Sequence, residues 1–164
     1  MVQEELTVRP TTARDTAAVD ALLARSYPAL LKADYPPSVL VTALPLISRA
    51  QPRLLTSGTY YLAETPHGDV VAAGGWTRRP RAPEEAEIRH VVTDHRRLRQ
   101  GIGRAIFDRI FGDARAAGVS GYHCLSTRTA VPFYEALGFR TIGPIEIQLA
   151  PGIHFPAVEM RRTG

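Results

Sequence analysis

Apolar residues recur at Ile102, Ala105, Ile106 and Ile110, with Phe107, Phe111 and Ala114 beside them, which is the spacing of one helix face. Gly118 supplies the stop. Val19, Leu22 and Leu23 predict an earlier helix reaching about Tyr27, and Thr12 with Asp15 three residues on resembles a capping box at its start. A further helix is expected after Pro36-Pro37, with Leu40, Leu44 and Ile47 on one face. Pro45 should kink or end it, because proline removes a backbone donor. Elsewhere the pattern changes to strand-like runs: ELTVR (5–9), TYYLAE (59–64), DVVAAGGW (69–76), AEIRHVVT (86–93) and GYHCLST (121–127). Pro66-His67-Gly68 marks a hairpin, whereas RRPRAPEE (78–85) reads as a loop that breaks the sheet. AVPFYEAL (130–137) is a short helix closed by Gly138, and two more strands follow at about 139–149 and 154–162. Early hairpins followed by a β-α-β-α-β segment predict an α/β or α+β domain built on one mixed sheet.

Composition narrows the setting. The chain has 164 residues, 45% hydrophobic and 22% charged, enough for one domain with a real core and without repeats or linkers. No apolar run approaches the ~20 residues of a membrane span, and MVQEELTVRP lacks the apolar segment of a secretory leader. Cys124 is the single cysteine and cannot form an internal disulfide, so a soluble protein of the cytoplasm is expected, with no membrane partner. The net charge is +4, carried almost wholly by arginine, since Lys32 is the only lysine. Arg89, His90, His95, Arg96, Arg97, Arg99 and Arg104 crowd together, and Asp94 is the only acid among them. Either a solvated basic face or an anion site has this form.

The cluster surrounds LRQGIGRAIF (98–107), where Gly101 and Gly103 sit at a strand-to-helix junction. A helix N-terminus presents unpaired N–H groups and roughly half a positive charge, and glycine lets an anion approach them. The turn is not a P-loop, because no Lys-Ser or Lys-Thr occurs, and not a dinucleotide fingerprint, because the third glycine position is Ile106.

The segment resembles motif A of the GNAT superfamily of N-acetyltransferases, [QR]-x-x-G-x-[GA] after a long strand. STRTAVPFYEALGF (126–139) is similar to the same family's motif B, with Phe133, Tyr134, Gly138 and Phe139 at its [FY]-Y-x-x-x-G-F positions. Two positions depart: Leu98 stands where the family has Gln or Arg, and Thr129 where it often has Asn. The resemblance follows element order over about residues 5–162 and is specific over 86–139. It implies one GNAT-like domain over residues 1–164, a mostly antiparallel mixed sheet of about seven strands with about four helices, and acetyl-CoA as co-substrate without a metal. The cradle for its pyrophosphate falls on Arg99, Gln100, Gly101, Ile102, Gly103 and Arg104. Val91, at a bulge, takes the role of oxyanion donor, with Val92 and Thr93 along the pantetheine and Thr129 and Tyr134 also at the cofactor.

Acetyl transfer to an amine needs a base, oxyanion donors and a proton for the leaving thiolate. The resemblance assigns that proton to Tyr134; a phenol that only packs its ring is the plainer alternative. Glu87, on the strand before the turn, is the candidate base, and His90 is the other; a strand glutamate paired with Arg89 is the alternative for Glu87. His123 and Cys124 lie on a strand, where a buried cysteine is usually a small hydrophobe, and no Cys/His set has metal-ligand spacing. Asp34-Tyr35 and His154-Phe155 fall where the family builds its acceptor pocket, and Tyr60, Tyr61 and Trp76 read as sheet packing, with Trp76 a candidate for the pocket border. The expected activity is N-acetylation of a primary amine of a small molecule or peptide by direct attack in a ternary complex. A CoA-binding regulator without turnover and a nucleic-acid binder are the competing readings; the second lacks aromatic interleaving or a recognition helix. A homodimer is implied only by family habit.

Overall fold

The computed structural model describes residues 5–164; the first four residues of the expected domain, with the start of the stretch read for a leader, lie outside it. Seven strands, β1 (Thr7–Pro10), β2 (Tyr60–Glu64), β3 (Val70–Arg79), β4 (Ala82–Thr93), β5 (Gly121–Ser126), β6 (Arg140–Ala150) and β7 (Ile153–Thr163), form one sheet in the order β1-β2-β3-β4-β5-β7-β6. Every adjacent pair is antiparallel except β4 and β5. The helices are α1 (Thr16–Leu31), α2 (Pro37–Ile47), α3 (Pro52–Leu55), α4 (Ile102–Ala116) and α5 (Val131–Ala136). This is the mixed, mostly antiparallel sheet expected, with one helix more than expected.

The extra element is α3, a single turn opened by Pro52 and too short to show a helical period. Two prolines are carried inside helices. Residues expected to end α1 near Tyr27 continue through Pro28 to Leu31, which is buried against the sheet, and α2 passes Pro45 to Ile47. Packing of the apolar face outweighs one lost hydrogen bond in each case. The sequence RRPRAPEE is not a loop. Strand β3 runs to Arg79 and β4 starts at Ala82, with Pro80-Arg81 as the turn, and Arg79 reaches Glu85 across the hairpin at 3.0 Å. The capping box is present: Thr12 N–H donates to Asp15 at 2.7 Å, and Arg14 N–H to the Thr12 hydroxyl at 3.2 Å.

Two cores cover the two faces of the sheet. On one, Ile106, Phe107 and Ile110 of α4 and Tyr134 of α5 pack on Ala86, Ile88, Tyr122 and Cys124. On the other, Val19, Leu22 and Leu23 of α1 and Leu40 of α2 pack on Ala73, Val92 and Phe155. Tyr61 and Trp76 belong to the first core, where the indole N–H donates to Tyr61 at 3.3 Å, so Trp76 is packing and not a pocket border.

Two irregularities in β4 set up the site. Arg89 pairs with Gly75 and Val92 with Ala73, so His90 and Val91 together face Gly74 and form a bulge, with His90 at φ 51°. On its other edge, β4 pairs with β5 only from Glu85 to Glu87, against Gly121 to His123, and beyond that the strands separate. Beside the bulge, a Cβ on Gly75 would lie 2.2 Å from the Thr59 carbonyl oxygen, a backbone atom that has little room to yield. Gly75→Ala is therefore expected to destabilise the protein by about 3 kcal/mol or more, the upper end for overpacking, as read from the urea unfolding midpoint.

Candidate active site

The gap between the diverging strands opens a cavity of about 200 Å³. Val91, Val92 and Thr93 line it from β4, and Thr129, Phe133 and Tyr134 from the β5–α5 segment. Tyr27, Leu30 and Leu31 of α1 close it, none of them marked as a site residue by the sequence pattern. Their role depends on how α1 lies across the sheet, which no local pattern states.

At one end of this gap α4 begins. Gly101 precedes it with φ 76°, the left-handed region that glycine enters without strain, and no atom lies within 4 Å of where its Cβ would be. The first intrahelical bond runs from Ala105 N–H to Gly101 O at 3.0 Å, so the N–H groups of Ile102, Gly103 and Arg104 precede the ladder. Gly103 has a different reason. A Cβ there would meet the Phe133 ring at 3.0 Å and the Thr93 hydroxyl at 3.2 Å, and its absence lets α4, α5 and the end of β4 close together. Arg99, Gln100 and Arg104 are exposed around the turn, while Ile102 is buried.

The basic cluster is not uniformly available to a ligand. Asp94 is buried, accepts from Arg25 at 3.2 Å and from Arg96 at 2.9 Å, and caps the turn His95–Arg97 through Arg96 N–H at 3.0 Å. The Arg96 hydrogen bonds, with Arg25 nearby, hold its carboxyl well below the ordinary carboxylate range. Asp94 therefore stabilises the fold fully above the unfolded carboxylate pKa of about 4, and this contribution fades as pH falls below it toward the depressed folded value. Urea midpoints of wild type and Asp94→Asn should differ clearly at neutral pH and converge in acid.

Tyr134 is 6% exposed, and no described residue hydrogen-bonds its hydroxyl. Burial, helped by Cys124, Tyr27 and Glu87, raises its pKa well above the ordinary 10, so the phenol keeps its proton across the neutral range. Its ring meets Phe107 edge-on at 5.6 Å and Phe139 at 5.2 Å. Thr129 lines the cavity but donates its hydroxyl to Asp34 at 2.7 Å. Tyr35 also reaches across, accepting from Arg128 N–H at 2.9 Å, donating to Pro156 O at 2.7 Å and stacking on Phe155 at 4.7 Å.

The two candidate bases sit differently. His90 Nε2 donates to Ile47 O at 2.8 Å, and its Nδ1 is enclosed without a partner. Burial lowers its pKa, and the ring is held neutral against Tyr27. Glu87 does not line the cavity. It lies between Ala86 and Ile88, whose side chains pack under α4, and so faces the other side of the sheet. There both its carboxylate oxygens reach His123 Nδ1, at 2.8 and 2.9 Å, and His123 Nε2 reaches Glu159 at 2.6 Å. Glu159 escapes a reading of the sequence because β7 enters the sheet between β5 and β6, a non-local placement.

The sequence model of the acetyltransferase (GNAT) domain matches residues 56–141, more than half of the chain and the part that holds the bulge, the glycine turn and Tyr134. The chain belongs to the GNAT acetyltransferase family. Among solved structures, a GCN5-related N-acetyltransferase from Rhodopseudomonas palustris has a TM-score of 0.81 at 18% identity, covering 100% of this chain and 99% of that one. The PaiA N-acetyltransferase of Thermoplasma acidophilum, solved with coenzyme A, scores 0.75 at 10% identity over 98% and 99% of the two chains. The diaminobutyrate acetyltransferase EctA of Paenibacillus lautus, solved with L-2,4-diaminobutyric acid and coenzyme A, scores 0.68 at 19% identity over 98% and 95%. These likenesses establish the GNAT fold. No curated protein matches the sequence significantly. Among the described residues, no helix is long and apolar enough to cross a membrane, and no cluster of His, Cys, Asp and Glu has the arrangement of a metal site.

Proposed function

We propose that this GNAT protein transfers the acetyl group of acetyl-CoA to a primary amine of a small molecule or peptide, by direct attack within a ternary complex. The observation that carries the reading is Tyr134: a buried phenol with no described protein partner, in the same cavity as Val91, Val92 and Thr93. The coenzyme A bound to two of the structural neighbours supports the choice of co-substrate.

In this reading the N–H groups of Ile102, Gly103 and Arg104 hold the pyrophosphate at the start of α4, with Arg99, Gln100 and Gly101 shaping the turn. Val92, Thr93 and Thr129 border the pantetheine. The amine nitrogen attacks the thioester carbonyl, whose oxygen gains charge and accepts from Val91 N–H at the bulge. The carbon–sulfur bond breaks, and Tyr134 donates its proton to the departing thiolate. Glu87 takes the proton lost by the amine, directly or through a water, since a free amine of pKa ~10.4 is less than about a thousandth neutral at pH 7. The enclosed, neutral ring of His90 leaves Glu87 the better base. Within the basic cluster Arg96 is already engaged by the buried Asp94, which weakens the case for a nucleic-acid interface.

The test is release of free CoA thiol when the protein is incubated with acetyl-CoA and a panel of small primary amines and short peptides. Amine-dependent release supports the reading. Tight acetyl-CoA binding with no release across the panel would replace it with the regulatory one.

A further inference from the structure

On the face of the sheet opposite α4, a charged row crosses four strands. Arg79 of β3 meets Glu85 at 3.0 Å and Glu87 at 3.8 Å, and Arg161 of β7 pairs with Glu85. His123 of β5 sits between Glu87 and Glu159. The ends of this last trio touch solvent while its middle is sealed: the side chains of Glu87 and Glu159 are 21% and 32% exposed, that of His123 only 6%.

An ionised carboxylate only accepts hydrogen bonds, and a neutral imidazole has one N–H to give. Both ring nitrogens of His123 lie against carboxylate oxygens, so both contacts are hydrogen bonds only when the trio holds one proton beyond that of neutral imidazole. Glu85, Glu87 and Glu159 oppose Arg79 and Arg161, which leaves one negative charge uncompensated until that proton arrives.

We propose that His123 and Glu159 carry away the proton that Glu87 removes from the acceptor amine; this rests on the reading of Glu87 as the base. Before the step, His123 donates Nε2–H to Glu159, and its bare Nδ1 faces Glu87. The amine N–H breaks as an O–H forms on Glu87. Either oxygen of Glu87 is close enough to pass the proton to Nδ1. The Nε2 proton then moves to Glu159 Oε2 and on to water. One proton has crossed, no electrons have moved, and Glu87 is again a base. His123 and Glu159 act through Glu87 and are positioning residues in this sense.

Two measurements test the relay. In 15N-histidine-labelled protein without substrate, with His123→Asn to assign the signals, His123 should carry one ring proton, on Nε2 and hydrogen-bonded. The Nε2 proton should shift in Glu159→Gln and the Nδ1 nitrogen signal in Glu87→Gln. A resting ring already protonated on Nδ1, which could take no proton from Glu87, would overturn the proposal without any substrate. The second measurement uses an amine that releases thiol in the panel above. Glu159→Gln keeps the shape and an oxygen for Nε2–H but cannot take a proton. It should lower kcat on the order of tenfold and raise the solvent deuterium isotope effect on kcat, with KM for both substrates unchanged. Unchanged kcat and isotope effect in Glu159→Gln, with Glu87→Gln inactive, would remove the relay and leave the base. Full activity in Glu87→Gln would remove the base and the relay together.

Discussion

Gly101→Asp should abolish measurable acetyl-CoA binding while leaving the protein folded. No atom lies within 4 Å of the Cβ position, so the side chain fits. The left-handed backbone at φ 76° costs a non-glycine residue about 1–2 kcal/mol, and aspartate, an N-cap residue, recovers about 1 kcal/mol by accepting from the first-turn N–H groups. The same capping fills the donors a pyrophosphate needs and sets a carboxylate beside its negative charge. An affinity loss of at least about 100-fold, ~2.8 kcal/mol, follows by calorimetric titration, with the thermal midpoint within a few degrees of wild type. Gly101→Ala separates the two effects, since it adds the backbone strain without the anion and should lose far less. Wild-type affinity in the aspartate variant would mean that the turn holds no phosphate.

Tyr134→Phe should lower kcat by about 10²–10⁴ with little change in KM for acetyl-CoA. The substitution deletes one hydroxyl that has no described protein partner, and the ring keeps its edge-on contacts with Phe107 and Phe139. Stability should therefore hold, and activity alone should fall. The raised pKa gives a further signature. The proton on Tyr134 is retained to well above pH 10, so a basic limb in the wild-type rate profile below that pH belongs to another group. A phenylalanine variant with wild-type kcat would make Tyr134 a packing residue and pass the thiolate's proton to solvent.

The parts of this arrangement that a local pattern can encode are legible in the amino-acid sequence. The α4 stripe, the glycine preceding it and the capping box at Thr12 and Asp15 all depend on neighbours within a few residues, and each is where its spacing puts it. The β3–β4 hairpin reads as a loop because its turn is made of the residues that usually end strands, and ion pairs hold its ends instead of an apolar alternation. The walls of the cavity are half legible. Val91 to Thr93 and Tyr134 follow from the family motifs, whereas Leu30 and Leu31 enter because α1 runs on past Pro28. The contact of His123 with Glu87 and Glu159 needs strand order and register together, and neither is written in any one segment.

The three-residue seam between β4 and β5 has a mechanical meaning. It makes the sheet two plates, β1 to β4 and β5 to β7 with β6, riveted at one end and open at the other. A ligand lying in the open end bears on both plates at once. Its binding free energy is thereby added at the joint with the fewest rungs, so occupancy should stiffen the sheet where it is least laced.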